Sequence, residues 1–177
     1  YKIIFSKKNS KVLFQNKDDM DLFVTNGVLS ERKSFLIRGN GVDTSKFKRK
    51  DEFPKRITFL FASRLLRSKG IVEFISAANS LENMDAKFIV AGDIDLENPQ
   101  SLSKERLEKY KASSNIEFLG NVDFSKMNKL FQLSSVLILP SYREGLPKVA
   151  LEAASCEMPL ILTNVPGCRD CLIEGET

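Results

Sequence analysis

Four side chains stand out for the ligand chemistry their types and spacing allow. Arg64 and Lys69 lie in "SRLLRSKG", and Glu144 and Glu152 lie eight positions apart in "SYREGLPKVALEAASCEMPLI". A guanidinium offers a planar fork and an ammonium a compact charge, so the first pair suits a diphosphate. Between the glutamates, Pro147 suits a helix start, where its missing N–H costs nothing. Such a start leaves backbone N–H groups free around Lys148 and Val149, a natural phosphate site. Glu152 then falls about one and a half turns inside the helix, with Glu144 ahead of it. Two carboxylates so separated can accept hydroxyl hydrogen bonds at two points of an extended ligand, with phosphates held between. A sugar and a ribose joined by a diphosphate fit that description. Each residue also has a plainer role, as a solvated cation, a turn residue or an acid favoured near a helix N-terminus.

The elements that position these residues follow from short apolar runs, each leading into a helix-like stretch. "KVLFQ" precedes "NKDDMDLFVTNG", where Asn16 suits a helix cap and Asp18 and Asp19 a first turn. "RITFLFA" precedes "GIVEFISAANSLEN", whose Ile71, Phe74, Ile75 and Ala78 form a helical stripe. "AKFIVAG" precedes "SKERLEKYKASS", and "NIEFLG" precedes "SKMNKLFQLSS", in which Met127, Leu130 and Phe131 share a face. "VLILP" leads to the helix near Pro147, "PLILT" to "GCRDCLIEG", and "SFLIR" to a polar loop. Continuous apolar runs indicate strands buried on both faces. Strands alternating with helices predict an α/β fold, a Rossmann-like doubly wound parallel sheet of about six strands with helices on both faces. Ligands bind such sheets at the carboxyl ends of the strands, where "SRLLRSKG" and "SYREGLP" fall. The opening "YKIIFSKKNS" is ambiguous and reads as the end of an element that begins before this sequence.

Composition narrows the classes. The 177 residues, 42% hydrophobic and 28% charged, suit one globular domain. A net charge of +4 favours anionic ligands but is too small to imply nucleic acid. Histidine is absent, which removes Ser-His-Asp, Cys-His and His-metal chemistry from this stretch. Three cysteines and no signal sequence indicate reduced thiols in a cytosolic setting. A start at Tyr1 rather than Met suggests a piece of a longer protein.

Other arrangements compete. Asp93 and Asp95, two apart after a strand, could hold a divalent cation with phosphates. Cys168 and Cys171 have the spacing of a thiol redox pair at a helix start, or are small core residues. Lys46 to Arg56 carries six basic residues against two acidic ones, a solvated loop or a contact for anionic lipid.

The segments "SRLLRSKG", "FIVAGD", "IEFLGNV" and "LPSYREGLPKVALEAASCEMPLILTNVPGCRD", with "VLFQNKDDMDLF" and "GNGVD" before them, resemble in order the family 4 (group 1) glycosyltransferases of the GT-B fold. The likeness covers nearly the whole chain and is nearest to bacterial capsule and O-antigen transferases. It implies that residues 1–177 form the C-terminal, nucleotide-sugar-binding half. The N-terminal acceptor domain and the closing C-terminal helices would lie outside this sequence. By position, Arg64 and Lys69 would neutralise the donor diphosphate, Glu144 would contact the transferred sugar, and Glu152 would bind ribose hydroxyls. Gly145, Leu146, Pro147, Lys148 and Val149 would meet sugar and phosphate through their backbone, and Val122 would border the base. The implied reaction is retaining sugar transfer from a nucleoside-diphosphate sugar, with uridine the favoured base, and with no cofactor and no obligatory metal. The acceptor would be a glycan or lipid-linked glycan, met through the N-terminal domain. The expected location is cytoplasmic, with peripheral contact at the inner face of the plasma membrane a secondary expectation. Alone, this half is expected to be inactive. A thiol oxidoreductase and a non-catalytic nucleotide-binding module are the alternatives.

Overall fold

The computed structural model describes Phe5, residues 9–49 and residues 54–173. The chain divides into two compact units. The described parts of Tyr1–Gly41, Arg143–Lys148 and Asn164–Thr177 form the smaller, and those of Val42–Tyr142 and Val149–Thr163 the larger.

In the smaller unit, β1 (Val12–Phe14) pairs in parallel with β2 (Ser34–Leu36), and α1 (Lys17–Thr25) connects them. Asn16 caps α1 as expected: its side chain accepts from the Asp19 N–H at 2.8 Å, with Asp18 and Asp19 in the first turn. "SFLIR" is a strand of three residues, and "GCRDCLIEG" forms only a single 3₁₀ turn, Arg169–Cys171, before the described residues end. Most of "YKIIFSKKNS" lies outside the described residues.

The larger unit is the expected parallel α/β sheet. Its elements are β3 (Ile57–Ala62), α2 (Ile71–Ser80), β4 (Ala86–Ala91), α3 (Lys104–Ser113), β5 (Ile116–Gly120), α4 (Phe124–Gln132), β6 (Val136–Leu139), α5 (Lys148–Ser155, entered from the smaller unit) and β7 (Leu160–Leu162). The strand order is β5-β4-β3-β6-β7, every pairing parallel. It has five strands rather than about six, because β1 and β2 pair with each other.

Register assigns the two faces. Phe61 lies opposite Val90, and Phe59 opposite Phe88, so these four share one face. There the predicted stripe of α2 (Ile71, Phe74, Ile75, Ala78) and Leu107 of α3 complete one apolar cluster with Phe61, Phe88 and Val90. Leu60 and Leu137 are register partners on the other face, and with Leu139 they are fully buried. With this strand order, the right-handed rule for parallel crossovers assigns α4 and α5 to that second face, and Leu130, Phe131, Ala150 and Ala153 are buried. From β3 the chain steps outward to β5, then returns to the other side of β3. The crevice at the carboxyl ends of β3 and β6 is therefore the topological switch point of the sheet.

Candidate functional site

The loop leaving β3 carries Arg64 and Lys69 to that edge. It is anchored by backbone bonds to the loop after β4: Ser63 N donates to Ala91 O at 3.0 Å, Leu65 N to Asp93 O at 3.0 Å, and Leu102 N to Leu65 O at 2.9 Å. Leu65 and Leu66 are buried, which leaves Arg64 exposed and Lys69 half-buried. A 3₁₀ turn, Arg67–Lys69, then meets Gly70, whose φ of 77° is left-handed. A Cβ there would sit 2.2 Å from the Pro140 carbonyl oxygen, so only glycine lets this loop lie against the one leaving β6.

Arg64 is not a lone surface cation. Its Nη1 donates to Asp95 Oδ2 at 2.8 Å, which fixes the guanidinium from one side. The Asp93-x-Asp95 spacing, weighed above as a cation site, thus has another use here. Asp95 braces Arg64, and Asp93 Oδ1 accepts the Ile94 N–H at 2.8 Å. Among the described residues no group of three or more metal-ligating side chains occurs.

Glu152 lies inside α5, flanked by the buried Ala150 and Ala153, and is itself only 5% exposed. That burial argues against the plainer reading of an acid favoured only by its place near a helix N-terminus. Its charge, after burial, helps push the nearby Cys156 thiol up to about 11. Val149 and Val122 are half-buried, the latter just beyond the end of β5.

In the smaller unit, Glu144, Gly145, Leu146 and Pro147 form one irregular stretch that leads directly into Lys148, the first residue of α5. The sequence offered no sign of what holds it. Asn16, fully buried, donates Nδ2 to Gly145 O at 2.8 Å and to Glu144 O at 3.3 Å, as well as to Asp19 Oδ2 at 3.1 Å. Asp19 in turn accepts from Arg143. From the other side Glu144 N donates to Pro166 O at 3.3 Å. Gly167, at φ 81°, packs so closely that a Cβ would lie 2.4 Å from Glu144 O. The Glu144–Gly145 peptide is thus clamped by two distant segments, and Glu144 itself stays half-buried.

The thiols do not suit redox chemistry. Cys168 is fully buried, and burial first, then the Cys168, Asp170 and Glu144 groups, push Cys171 up to about 12. The thiolate that exchange requires is disfavoured. In the basic segment, Arg49 pairs with Glu157 at 2.6 Å and Arg56 with Asp85 at 2.8 Å, while residues 50–53 lie outside the described residues.

The profile described as "Glycosyl transferases group 1" matches residues 42–177. The chain belongs to that family. Among curated relatives of this group 1 glycosyltransferase, the N,N'-diacetylbacillosaminyl-diphospho-undecaprenol alpha-1,3-N-acetylgalactosaminyltransferase of Campylobacter jejuni is 30% identical over 97% of this chain and 46% of its own length. The capsular polysaccharide biosynthesis glycosyltransferase CapM of Staphylococcus aureus is 26% identical over 87% of this chain and 43% of its own. The chain therefore spans somewhat under half the length of these relatives. Two solved structures share the fold. Sucrose-phosphate synthase of Thermosynechococcus elongatus superposes with a TM-score of 0.80 at 21% identity, covering 99% of this chain and 46% of that one. Anabaena HepE, in complex with UDP and glucose, does so with 0.76 at 19% identity, covering 94% and 47%. Among the described residues no helix is long and apolar enough to cross a membrane.

Proposed function

We propose that this chain is the donor-binding half of a retaining glycosyltransferase that moves a sugar from a UDP-sugar to an acceptor hydroxyl, without an obligatory metal, during synthesis of a bacterial surface polysaccharide. The observation that carries the reading is the switch point of the sheet. There the loop leaving β3 brings Arg64, braced by Asp95, and Lys69 to the carboxyl edge where open α/β sheets bind ligands. Arg64 and Lys69 stabilise the charge that develops on the departing diphosphate, a role that preorganised cations fill without a side-chain acid in this half. Glu152 accepts from ribose hydroxyls and Glu144 from the transferred sugar. Gly145, Leu146, Pro147, Lys148 and Val149 present backbone to sugar and phosphate, and Val122 borders the base. The relatives' names support the pathway: one acts on a diphospho-undecaprenol-linked sugar, and the other serves capsule synthesis. The acceptor is accordingly a lipid-linked glycan, bound by a second domain, at the cytoplasmic side of the membrane.

Calorimetry of the chain with UDP, GDP, ADP and a set of UDP-sugars tests this. UDP is expected to bind best, and EDTA to leave its binding unchanged. Glu152→Ala weakens UDP and UDP-sugar alike, whereas Glu144→Ala weakens only the sugar-bearing ligand. Equal losses on free UDP for both variants would contradict the division of roles. The anomeric configuration of the product made by the full-length protein, read by NMR, tests retention.

A further inference from the structure

A cleft of about 470 Å³ opens in the larger unit where the loops after β3, β4 and β6 meet, and its polar lining is Arg67, Ser68, Glu73, Gln100, Arg106 and Tyr142. None of the residues assigned above to the donor lines it. Its walls are fixed by backbone bonds. Leu66 and Ser101 form an isolated antiparallel bridge, Arg67 N donates to Gln100 O at 2.9 Å, and Tyr142 N donates to Ser68 O at 2.9 Å. The Tyr142 hydroxyl donates to Glu73 Oε1 at 2.7 Å, which ties the third loop to the start of α2.

The lining has a definite chemistry. Arg106 Nε donates to the Tyr110 hydroxyl at 3.0 Å, and its guanidinium lies 5.6 Å from the Tyr110 ring centroid, so the fork is oriented without being neutralised. Among the described residues neither Arg67 nor Arg106 has an ion-pair partner. Two such guanidiniums on one cleft suit a phosphoryl group, which each can meet with two parallel hydrogen bonds. The Glu73 carboxylate and the Gln100 amide supply an acceptor and donors for hydroxyls. Tyr142, 63% exposed, presents a ring with an apolar face on which the C–H face of a sugar can pack. The volume falls within the roughly 300–1,000 Å³ of small-molecule sites.

We propose that this cleft is a second ligand site, which binds a phosphorylated sugar. The mixed lining decides the class. Bare phosphate leaves Glu73, Gln100 and Tyr142 unused and feels the repulsion of the carboxylate, while a neutral sugar leaves both arginines without a counter-charge. Only a ligand that joins an anion to a hydroxylated ring uses all of these groups. The proposal is independent of the donor assignment.

The test titrates the full chain with glucose 1-phosphate, glucose 6-phosphate, glucose and inorganic phosphate, following amide shifts by NMR, with UDP as a parallel ligand. At least one sugar phosphate is expected to bind about tenfold or more tighter than either glucose or phosphate, and Arg67→Ala and Arg106→Ala each to weaken it by about tenfold or more. Arg67→Lys, which keeps the charge and loses the fork, should fall between. Both arginines lie outside the core, so thermal melting of the variants should match the parent and exclude a folding defect. UDP affinity should be unchanged in these variants. Absence of sugar-phosphate binding, phosphate binding as tight as the sugar phosphates, or a loss seen with Arg64→Ala but not with Arg67→Ala would each overturn the proposal. A failure of UDP to bind while a sugar phosphate still does would refute the donor assignment alone.

Discussion

Replacing Asn16 removes a side chain that serves a helix and a distant loop at once, and the two contributions can be separated. Asn16→Ala deletes the cap of α1, worth about 1 kcal/mol. It also strips the Gly145 carbonyl of its 2.8 Å donor, which adds about 1 kcal/mol for a half-buried acceptor. The 3.3 Å contact to Glu144 O is too long to count for much, and Asp19 keeps Arg143 as a partner. The expected loss is therefore about 2 kcal/mol, or nearer 1 kcal/mol where water replaces the lost donor. Asn16→Ser keeps a capping oxygen but cannot reach the two carbonyls, so its loss should be smaller by roughly 1 kcal/mol. Urea unfolding gives the totals, and hydrogen exchange gives the location. Amides of Glu144, Gly145 and Leu146 should exchange faster in both variants, and those of the first turn of α1 only in the alanine variant. If Asn16→Ala unfolds within about 0.5 kcal/mol of the parent, the scatter of ordinary surface changes, the clamp is not what holds the loop. Unchanged exchange at Gly145 would refute it equally.

Three further outcomes are expected. Gly167→Ala forces a left-handed φ of 81° on a residue whose Cβ would meet backbone at 2.4 Å, whereas Gly27→Ala has φ 59° and open space; by urea unfolding the first should cost well over 2 kcal/mol and the second about 1–2. Arg64→Ala and Asp95→Ala remove a pair whose side chains are 59% and 29% exposed, so each should change stability by less than about 1 kcal/mol, and loss of UDP binding in Arg64→Ala is then readable as a lost ligand contact. Burial raises Cys156 to about 11 and Cys171 to about 12 from 9.0, so the fold favours the protonated thiols. Their contribution is complete below the unfolded value and is lost as pH rises from about 9 towards the folded values; at pH 8 iodoacetamide should label the urea-unfolded chain and leave native Cys156 and Cys171 nearly untouched.

What the sequence showed and what it hid differ by range of interaction. The stripe Ile71, Phe74, Ile75 and Ala78 was legible because helical period and burial are set within three turns, and all four are buried in α2. The Asn16 cap was legible because its partner is three residues away. The 31-residue link from Arg64 to Asp95 and the 128-residue link from Asn16 to Glu144 depend on strand order, which local pattern does not encode. The length of "GCRDCLIEG" as a helix was overestimated for a related reason. Its short apolar spacing fits one turn as well as several, and Gly167 and Cys168 are held by packing rather than by a continuing helix.

Glu152 shows how burial decides between two readings that spacing leaves open. A carboxylate in the first turns of an exposed helix gains about 0.3–1 kcal/mol from the dipole. Moving the same group out of water costs several kcal/mol. At 5% exposure the dipole therefore cannot account for the choice of glutamate, and an apolar residue would serve the packing of α5 better. The acid has to be matched by groups that need a negative charge or a strong acceptor at that point. Glu152→Gln, which keeps the shape and loses the charge, should then weaken binding of a hydroxyl-bearing ligand in calorimetry, while urea unfolding reads separately what the charge does for the fold. A Glu152→Gln or Glu152→Leu variant that binds as tightly as the parent would show that the carboxylate is not there for the ligand.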